Sequence, residues 1–467
     1  MRSDEALDNT MTQGVIWKQL LNFFFPILLG TFFQQLYNTV DAIIVGQFVG
    51  KEALAAVGGA TGTLINLLVG FFVGLSSGAT VIISQYYGAR RGEDTSKAVH
   101  TSMALGVVGG VALTLIGLLV SPWALRAMGT PDEILVHALT YIRVYFSGTI
   151  FSLLYNIGSG ILRAVGDSKR PLYILIVCCL VNLALDLVFV VWMKMGVLGA
   201  ALATFLSQLI SAALVLFCLL RSDQVYRLYF KEIRFHPEIL REIITIGFPA
   251  GLQSVLYSIS NVMIQASINS FGTDIIAAWT AYGKIDSIFW MILTAFGVAI
   301  TTFAGQNFGA QQYDRIRKGV WVCSGMAAAT SAGLSLLLIL TSQYLYRLFT
   351  DDPVVIELGI EILNTLTPFY ITFVLIEMLS GAARGAGDSL IPTIITCFGV
   401  CVLRVAWILI AVPLYPDVKT VIYSYPITWI LTSVLFLIYY LQGGWLRRRI
   451  AKAGFPPEER KPRHKTT

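Results

Sequence analysis

The chain has 467 residues, of which 56% are hydrophobic and only 13% charged, and its mean hydropathy is +0.72. That balance lies far outside the range of soluble domains, which excludes a soluble enzyme or binding module and leaves an integral membrane protein. The net charge of +6 is a topology signal and gives no reason to expect a nucleic-acid partner.

In chain order, apolar segments of spanning length recur at 17–46, 53–83, 98–121, 136–162, 171–193, 197–220, 243–270, 275–304, 319–342, 354–383, 390–413 and 420–446. Each holds the ~20 residues a helix needs to cross ~30 Å of hydrocarbon. The expectation is an all-α integral membrane protein with twelve transmembrane helices. The first ten residues are polar and acidic and the first apolar run is too long for a signal-peptide core, so no cleavable signal is expected. All six cysteines (Cys178, Cys179, Cys218, Cys323, Cys397 and Cys401) fall inside these segments. They read as small buried apolar residues, not as a disulfide framework or a metal site.

With twelve spans both termini share one side, and twenty-five of the 33 Lys and Arg residues fall on that side. Only Lys51, Arg126, Lys194, Arg347 and Lys419 fall on the other, while Arg143, Lys284 and Arg404 lie near or within spans. This imbalance predicts cytoplasmic termini and a multi-pass protein of the cell membrane.

The chain repeats itself. Q85-Y-Y-G-A-R recurs as Q306-N-F-G-A-Q and R163-A-V-G-D-S-K-R-P as R384-G-A-G-D-S-L-I-P, both at an offset of 221 residues, and Pro26 matches Pro249 at 223. Two six-helix halves follow, and because six is even they share one orientation, which puts a pseudo-twofold axis along the membrane normal. The expected division is an N-terminal lobe at 1–220, a basic linker at 221–241 formed as a surface helix or loop, a C-terminal lobe at 242–446 and a basic tail at 447–467. A cavity between the halves is the natural substrate route. The repeated motifs read as elbows at the cytoplasmic face, where a glycine turns, Asp167 or Ser168 caps the next helix and Pro171 fits its first turn; gating is the alternative. G74-L-S-S-G78 matches a nucleophile elbow, but it lies inside a span with no strand before it, so it reads as small residues that let helices approach closely.

Ionisable and amide groups at membrane depth are costly and usually face a cavity or bundle interior. The first half offers Asp41 in helix 1, Asn156 in helix 4, Asn182 and Asp186 in helix 5 and Thr204 in helix 6. Asn182 and Asp186, four residues apart, share one helix face. Counting 1.5 Å per residue from Gly50, Lys194 and Gly199 places Asp41, Asp186 and Thr204 roughly 8–14 Å below the outer surface; Asn156 lies lower. Taken singly, such groups cap helices or tie them together. Convergence of three helices on one level points instead to a site where Asp41 and Asp186 face the same cavity. Two adjacent carboxylates in low dielectric need a proton, a Na⁺ or a cationic ligand between them. In the second half Lys284, Asp286, Glu377 and Arg404 sum to zero charge, which predicts internal pairing of Glu377 with Arg404.

N38-T-V-D-A-I-I-V-G-Q47, the paired Q-x-x-G-A elements, the paired R163-A-V-G-D-S and R384-G-A-G-D-S elements and G196-V-L-G-A-A-L-A-T204 together carry a resemblance. From about Trp17 to Trp445 the sequence resembles the multidrug and toxic compound extrusion (MATE) family. The resemblance implies a two-lobe antiporter that exports organic cations, drugs or metabolites in exchange for H⁺ or Na⁺. It is similar to the branch with an acidic residue in helix 1, which implies a site at Asp41, Asn182, Asp186 and Thr204, with Na⁺ as a candidate ion there, and a helix 1 kink at Pro26. Glu377 does not match the helix 10 position of the branch with second-lobe acids. The implied partners are a small organic substrate and membrane lipid, with no further cofactor and no obligate protein partner. A lipid-linked oligosaccharide flippase of the same superfamily is the alternative, for which a more basic cavity is expected. A channel or intramembrane enzyme is disfavoured by the two-lobe repeat and the lack of a histidine partner.

Overall fold

A computed structural model describes residues 10–454. Twelve helices are long and apolar enough to cross a membrane: α1 (Ile16–Phe48), α2 (Glu52–Gly88), α3 (Gly92–Ala127), α4 (Asp132–Ala164), α5 (Lys169–Trp192), α6 (Gly196–Leu220), α7 (Pro237–Asn269), α8 (Thr273–Gly309), α9 (Tyr313–Arg347), α10 (Pro353–Gly385), α11 (Leu390–Leu414) and α12 (Val418–Leu441). A short helix, α13 (Gly444–Lys452), follows, and no strand occurs among the described residues. The two six-helix lobes are α1–α6 and α7–α12.

Most helices run several residues past their apolar segments. In α3 the extra turn carries Glu93, Asp94 and Lys97, with a Lys97–Glu93 pair at 2.6 Å. Hydropathy marks the hydrocarbon boundary, whereas backbone hydrogen bonding continues into the polar layer. The last span departs the other way. Gly443, at φ +65°, stops the chain and starts α13, whose Trp445, Leu446 and Ile450 pack into the protein, so these apolar residues belong to a separate amphipathic helix. The part of the basic tail beyond residue 454, including His464, lies outside the described residues.

The linker is irregular from 221 to 236 apart from one turn at Phe230–Glu232. Its ties to α3 include the Tyr229 N–H, which donates to His100 Nε2 at 3.0 Å, and His236, whose Nδ1 meets the Thr101 hydroxyl at 2.9 Å.

The face that carries the basic loops is where the lobes join. Gly74 on α2 meets Gly251 on α7 so closely that a Cβ on Gly74 would lie 2.6 Å from the Gly251 Cα, and Gly78 abuts Gly247 in the same way. The G-L-S-S-G stretch is therefore a packing seam, formed because only glycines let these two backbones touch. The pseudo-symmetric seam between α1 and α8 is built differently, from Phe24 stacked on Phe296 at 4.0 Å.

Beneath both seams the repeated motifs bond reciprocally. Gln85 Nε2 donates to the Gly385 carbonyl and Gln306 Nε2 to the Ala164 carbonyl, each at 2.7 Å. Gly88 lies against the Gln306 backbone and Gly309 against the Gln85 backbone. The elbow reading also holds in the first lobe, where Gly166 adopts φ +95° and Asp167 Oδ1 accepts from Lys169 N and Arg170 N at 3.1 Å. In the second lobe Asp388 instead accepts from the Tyr439 hydroxyl, and Ser389 donates to the Ile246 carbonyl.

Each neutral interlobe hydrogen bond is worth about 1 kcal/mol. A Gln85→Ala/Gln306→Ala double variant is therefore expected to shift the balance toward a parted basic face by up to about thirtyfold. Spin labels at Arg91 and Lys318 report this as a longer interlobe distance, and an unchanged distribution would show that the glutamines do not hold the lobes together.

Candidate functional site

A cavity of about 1210 Å³ sits above this junction. Its lining runs from Gln47 and Leu54, at the far ends of α1 and α2, down to Arg163 and Ser168 at the basic-face end. Nearly all of it belongs to the first lobe; α8 of the second lobe contributes Lys284.

Asp41 reaches the wall because it shares a helix face with Ile44 and Val45, the buried residues that hold this part of α1 against its lobe. Asn182 and Asp186 sit one turn apart on α5, and Asp186 immediately precedes a π-helical stretch at Leu187–Trp192. Wider turns of this kind recur at functional sites because they re-aim neighbouring side chains. Asp41 is 7% exposed, Asn182 and Thr204 2%, and Asp186 fully buried. The carboxyl groups of Asp41 and Asp186 are neighbours close enough to influence one another, although no hydrogen bond joins them. Asp41 and Asn182 line the cavity; Asp186, expected to face it as well, is fully buried, and neither it nor Thr204 is part of the lining.

Asp41 Oδ1, Asn182 Nδ2, both Asp186 oxygens and Thr204 Oγ1 are buried without a protein hydrogen-bond partner. Unsatisfied polar atoms are rare inside proteins, and five on four adjacent side chains mark a place built to receive something. Two carboxylates at this range require a proton or a cation between them. The oxygens of the set, two carboxylates, a carboxamide and a hydroxyl, suit a proton or a hard monovalent cation such as Na⁺.

The structure thus brings together Asp41, Asn182, Asp186 and Thr204. Asn156 also lines the cavity, but its Nδ2 turns back to the Ser152 carbonyl at 2.8 Å, apart from the carboxylates. Pro26 lines the cavity inside a helix that runs unbroken from Ile16 to Phe48. The helix changes neighbours along its length: Leu20, Phe23, Phe24 and Ile27 pack into the second lobe's core, and Ile44 and Val45 pack into the first.

Three tyrosines complete the surroundings without having been singled out in the sequence. Tyr37 and Tyr141 lie beside the carboxylates, Tyr141 also faces Thr204, and Tyr145 stacks on Tyr141 at 6.1 Å. A pair of tyrosines four residues apart in α4 was the available signal.

The second lobe corrects two expectations. Glu377 pairs with Arg384, at 3.2 Å, and not with Arg404. Arg404 is 4% exposed, bonds the Thr428 hydroxyl at 2.9 Å and lies 4.0 Å from the Tyr425 ring centroid. Depth explains the miss: Glu377 sits roughly 12 Å from the basic-face end of α10 and Arg404 roughly 21 Å from that of α11 at 1.5 Å per residue. Lys284, expected to be buried, is exposed to the cavity. Its near neighbour Asp286 points the other way, accepting from Tyr370 at 2.5 Å, Trp290 at 2.7 Å and Tyr282 at 3.2 Å. Residues two apart on a helix face different directions, so a zero charge sum did not mean that these two pair.

Two lobes of membrane-crossing helices around a large cavity, with paired carboxylates at membrane depth, define a membrane transporter. The chain belongs to the MatE family, whose model matches twice, at residues 26–188 and 249–410, once in each lobe. It is 29% identical over 450 residues to the probable multidrug resistance protein YoeA of Bacillus subtilis, covering 94% of this chain and 96% of that one. It is 23% identical over 405 residues to the multidrug export protein MepA of Staphylococcus aureus, covering 84% and 87%. A MATE family transporter of the MOP superfamily, solved in an outward-facing conformation, superposes with a TM-score of 0.87 at 25% identity over 94% of this chain and 98% of that one. A MATE crystal structure in the bent conformation shares the fold at a TM-score of 0.88 and 24% identity, over 95% and 98% of the two chains.

The second-lobe pairing is testable by double-mutant cycles on thermal stability in detergent. Positions 377 and 384 are expected to couple by up to about 1 kcal/mol, as a partly exposed ion pair does. Positions 377 and 404 are expected to be additive, and coupling between them would contradict the assignment.

Proposed function

We propose that the protein is a secondary antiporter that exports organic cations, drugs or metabolites, drawing energy from an inward flow of H⁺ or Na⁺. The observation that carries this reading is the cluster of unpartnered oxygens around the Asp41–Asp186 pair, set in the wall of a cavity with the lobes joined beneath it. The orientation belongs to the proposal as well: the basic face is cytoplasmic and the protein resides in the cell membrane.

In this mechanism the coupling ion enters the site and neutralises the carboxylate pair, and an organic cation competes for the same charge. Binding of the two is then mutually exclusive, which is what exchange requires. Where the exchange is electrogenic, one net charge moving inward through 100 mV releases about 2.3 kcal/mol, roughly a fiftyfold concentration ratio. Access alternates when the interlobe contacts at the basic face part and the far ends of the lobes close. Names of relatives such as the multidrug export protein MepA support an export role.

Replacing Asp41 with Asn is expected to abolish gradient-driven export while the protein remains folded in the membrane. Asp186→Asn and Asn182→Ala should each weaken it severely. Purified variants in proteoliposomes, tested under an imposed pH gradient and separately under a Na⁺ gradient, decide the matter and identify the ion. Normal gradient-dependent efflux from the Asp41→Asn protein would place the coupling site elsewhere.

A further inference from the structure

The two lobes treat one repeated position differently. In α10, Glu377 and Arg384 stand seven residues apart on one helix face and form an ion pair. At the 221-residue offset their first-lobe counterparts are Asn156 and Arg163. The arginine is kept and its acid is replaced by an amide.

Arg163 is consequently a cation without a neutralising partner. Among the described residues no carboxylate pairs with it, whereas Arg384 has Glu377; the Nε atoms of both arginines are buried without a hydrogen-bond partner, and Tyr155 is the group that faces Arg163. Its side chain lines the basic-face end of the cavity together with Asn156, Ser152 and Ser168. Lys284, higher on the wall, is a second cavity-lining cation with no carboxylate paired to it. Against these two, Asp41 is the one carboxylate in the lining. A cavity meant for simple cations has no use for an unpaired guanidinium at its floor, because like charge repels the cargo.

We propose that Arg163 is an anion-recognising residue of the transport cavity and that the preferred substrates are zwitterions, whose carboxylate, sulfonate or phosphate seats on Arg163 while their basic nitrogen points up the cavity toward its acidic end at Asp41. The planar guanidinium offers paired N–H donors that match such oxyanions. The neighbouring Asn156 and Ser168 supply neutral polar groups. Replacing the acid by Asn156 leaves the guanidinium free for the ligand, whereas in the second lobe Glu377 occupies it. The proposal rests on the export reading above and specifies which molecules that export handles.

The test uses two probes with the same ring system: rhodamine B, a zwitterion, and its ethyl ester, a cation. Binding of each to purified full-length protein is read by fluorescence polarisation, and the quantity compared is the ratio of the two affinities. Arg163→Gln is expected to lower the zwitterion-to-ester ratio by at least about fivefold, the effect of one ion pair in a wet cavity, and Arg163→Lys is expected to preserve part of it. Arg163 lies in a tight elbow, so a second variant leaves it in place. Asn156→Glu rebuilds the second-lobe pair in the first lobe and should lower the ratio to a similar extent by occupying the guanidinium. An unchanged ratio in Asn156→Glu, or a fall confined to Lys284→Gln, overturns the assignment to Arg163. Because the ratio comes from equilibrium binding, absence of ion-driven flux in the wild-type protein would count against antiport and not against this subsite.

Discussion

Two neighbouring carboxyl groups at membrane depth are the constraint around which the first lobe is organised. Such a pair is costly in a medium that solvates charge poorly, and it persists only where neighbours hold it and a counter-charge can reach it. Every local irregularity nearby serves that end. The π-helical turn after Asp186 re-aims the end of α5, and Ile44 and Val45 anchor the segment of α1 that carries Asp41. Tyr37 and Tyr141 stand beside the pair on the cavity wall. Asp41 and Asn182 remain at the cavity wall, so the pair is buried yet reachable.

The repeat supplies a frame and then departs from it. Symmetry is retained at the basic face, where Gln85 and Gln306 each bond a backbone carbonyl in the other lobe's elbow. A contact made twice with one geometry suits a junction that must form and part as a unit. Symmetry is lost above it. The second lobe is filled by a large aromatic core around Phe289, Tyr370 and Trp429, and its charges at membrane depth other than Lys284 are satisfied internally: Glu377 by Arg384, Arg404 by Thr428, and Asp286 by the hydroxyls around it. The first lobe leaves its polar groups open. One lobe is thus packed and the other holds a chamber, so the cavity is lined almost wholly from one side.

Much of this was legible in the residues alone. The number of helices follows from hydropathy, because the bilayer imposes a length that soluble folds do not. The two-lobe arrangement follows from the 221-residue offset, and the site of Asp41, Asn182, Asp186 and Thr204 from the expense of polarity in hydrocarbon. Counting residues from the membrane surface was enough to bring Asp41, Asp186 and Thr204 to one level, since a helix rises by a fixed amount per residue. The glycines of G-L-S-S-G were read correctly for a similar reason: a span interior leaves small residues little to do except admit another backbone.

The tertiary structure decided what depends on direction around a helix and on which elements end up adjacent. A charge sum pointed to pairing of Glu377 with Arg404, but a sum contains neither depth nor azimuth, and the arginine within reach of Glu377 was the one two turns along its own helix. Lys284 and Asp286 are two residues apart and face a cavity and an aromatic cage respectively. Gln85 and Gln306 were visible as repeats, yet nothing local could show that each serves the opposite lobe, because that contact exists only once the two halves are docked. The sequence determined what the membrane demands of each helix taken alone. What the helices demand of one another was settled by packing, since burial, pairing and access are properties of neighbours that lie far apart along the chain.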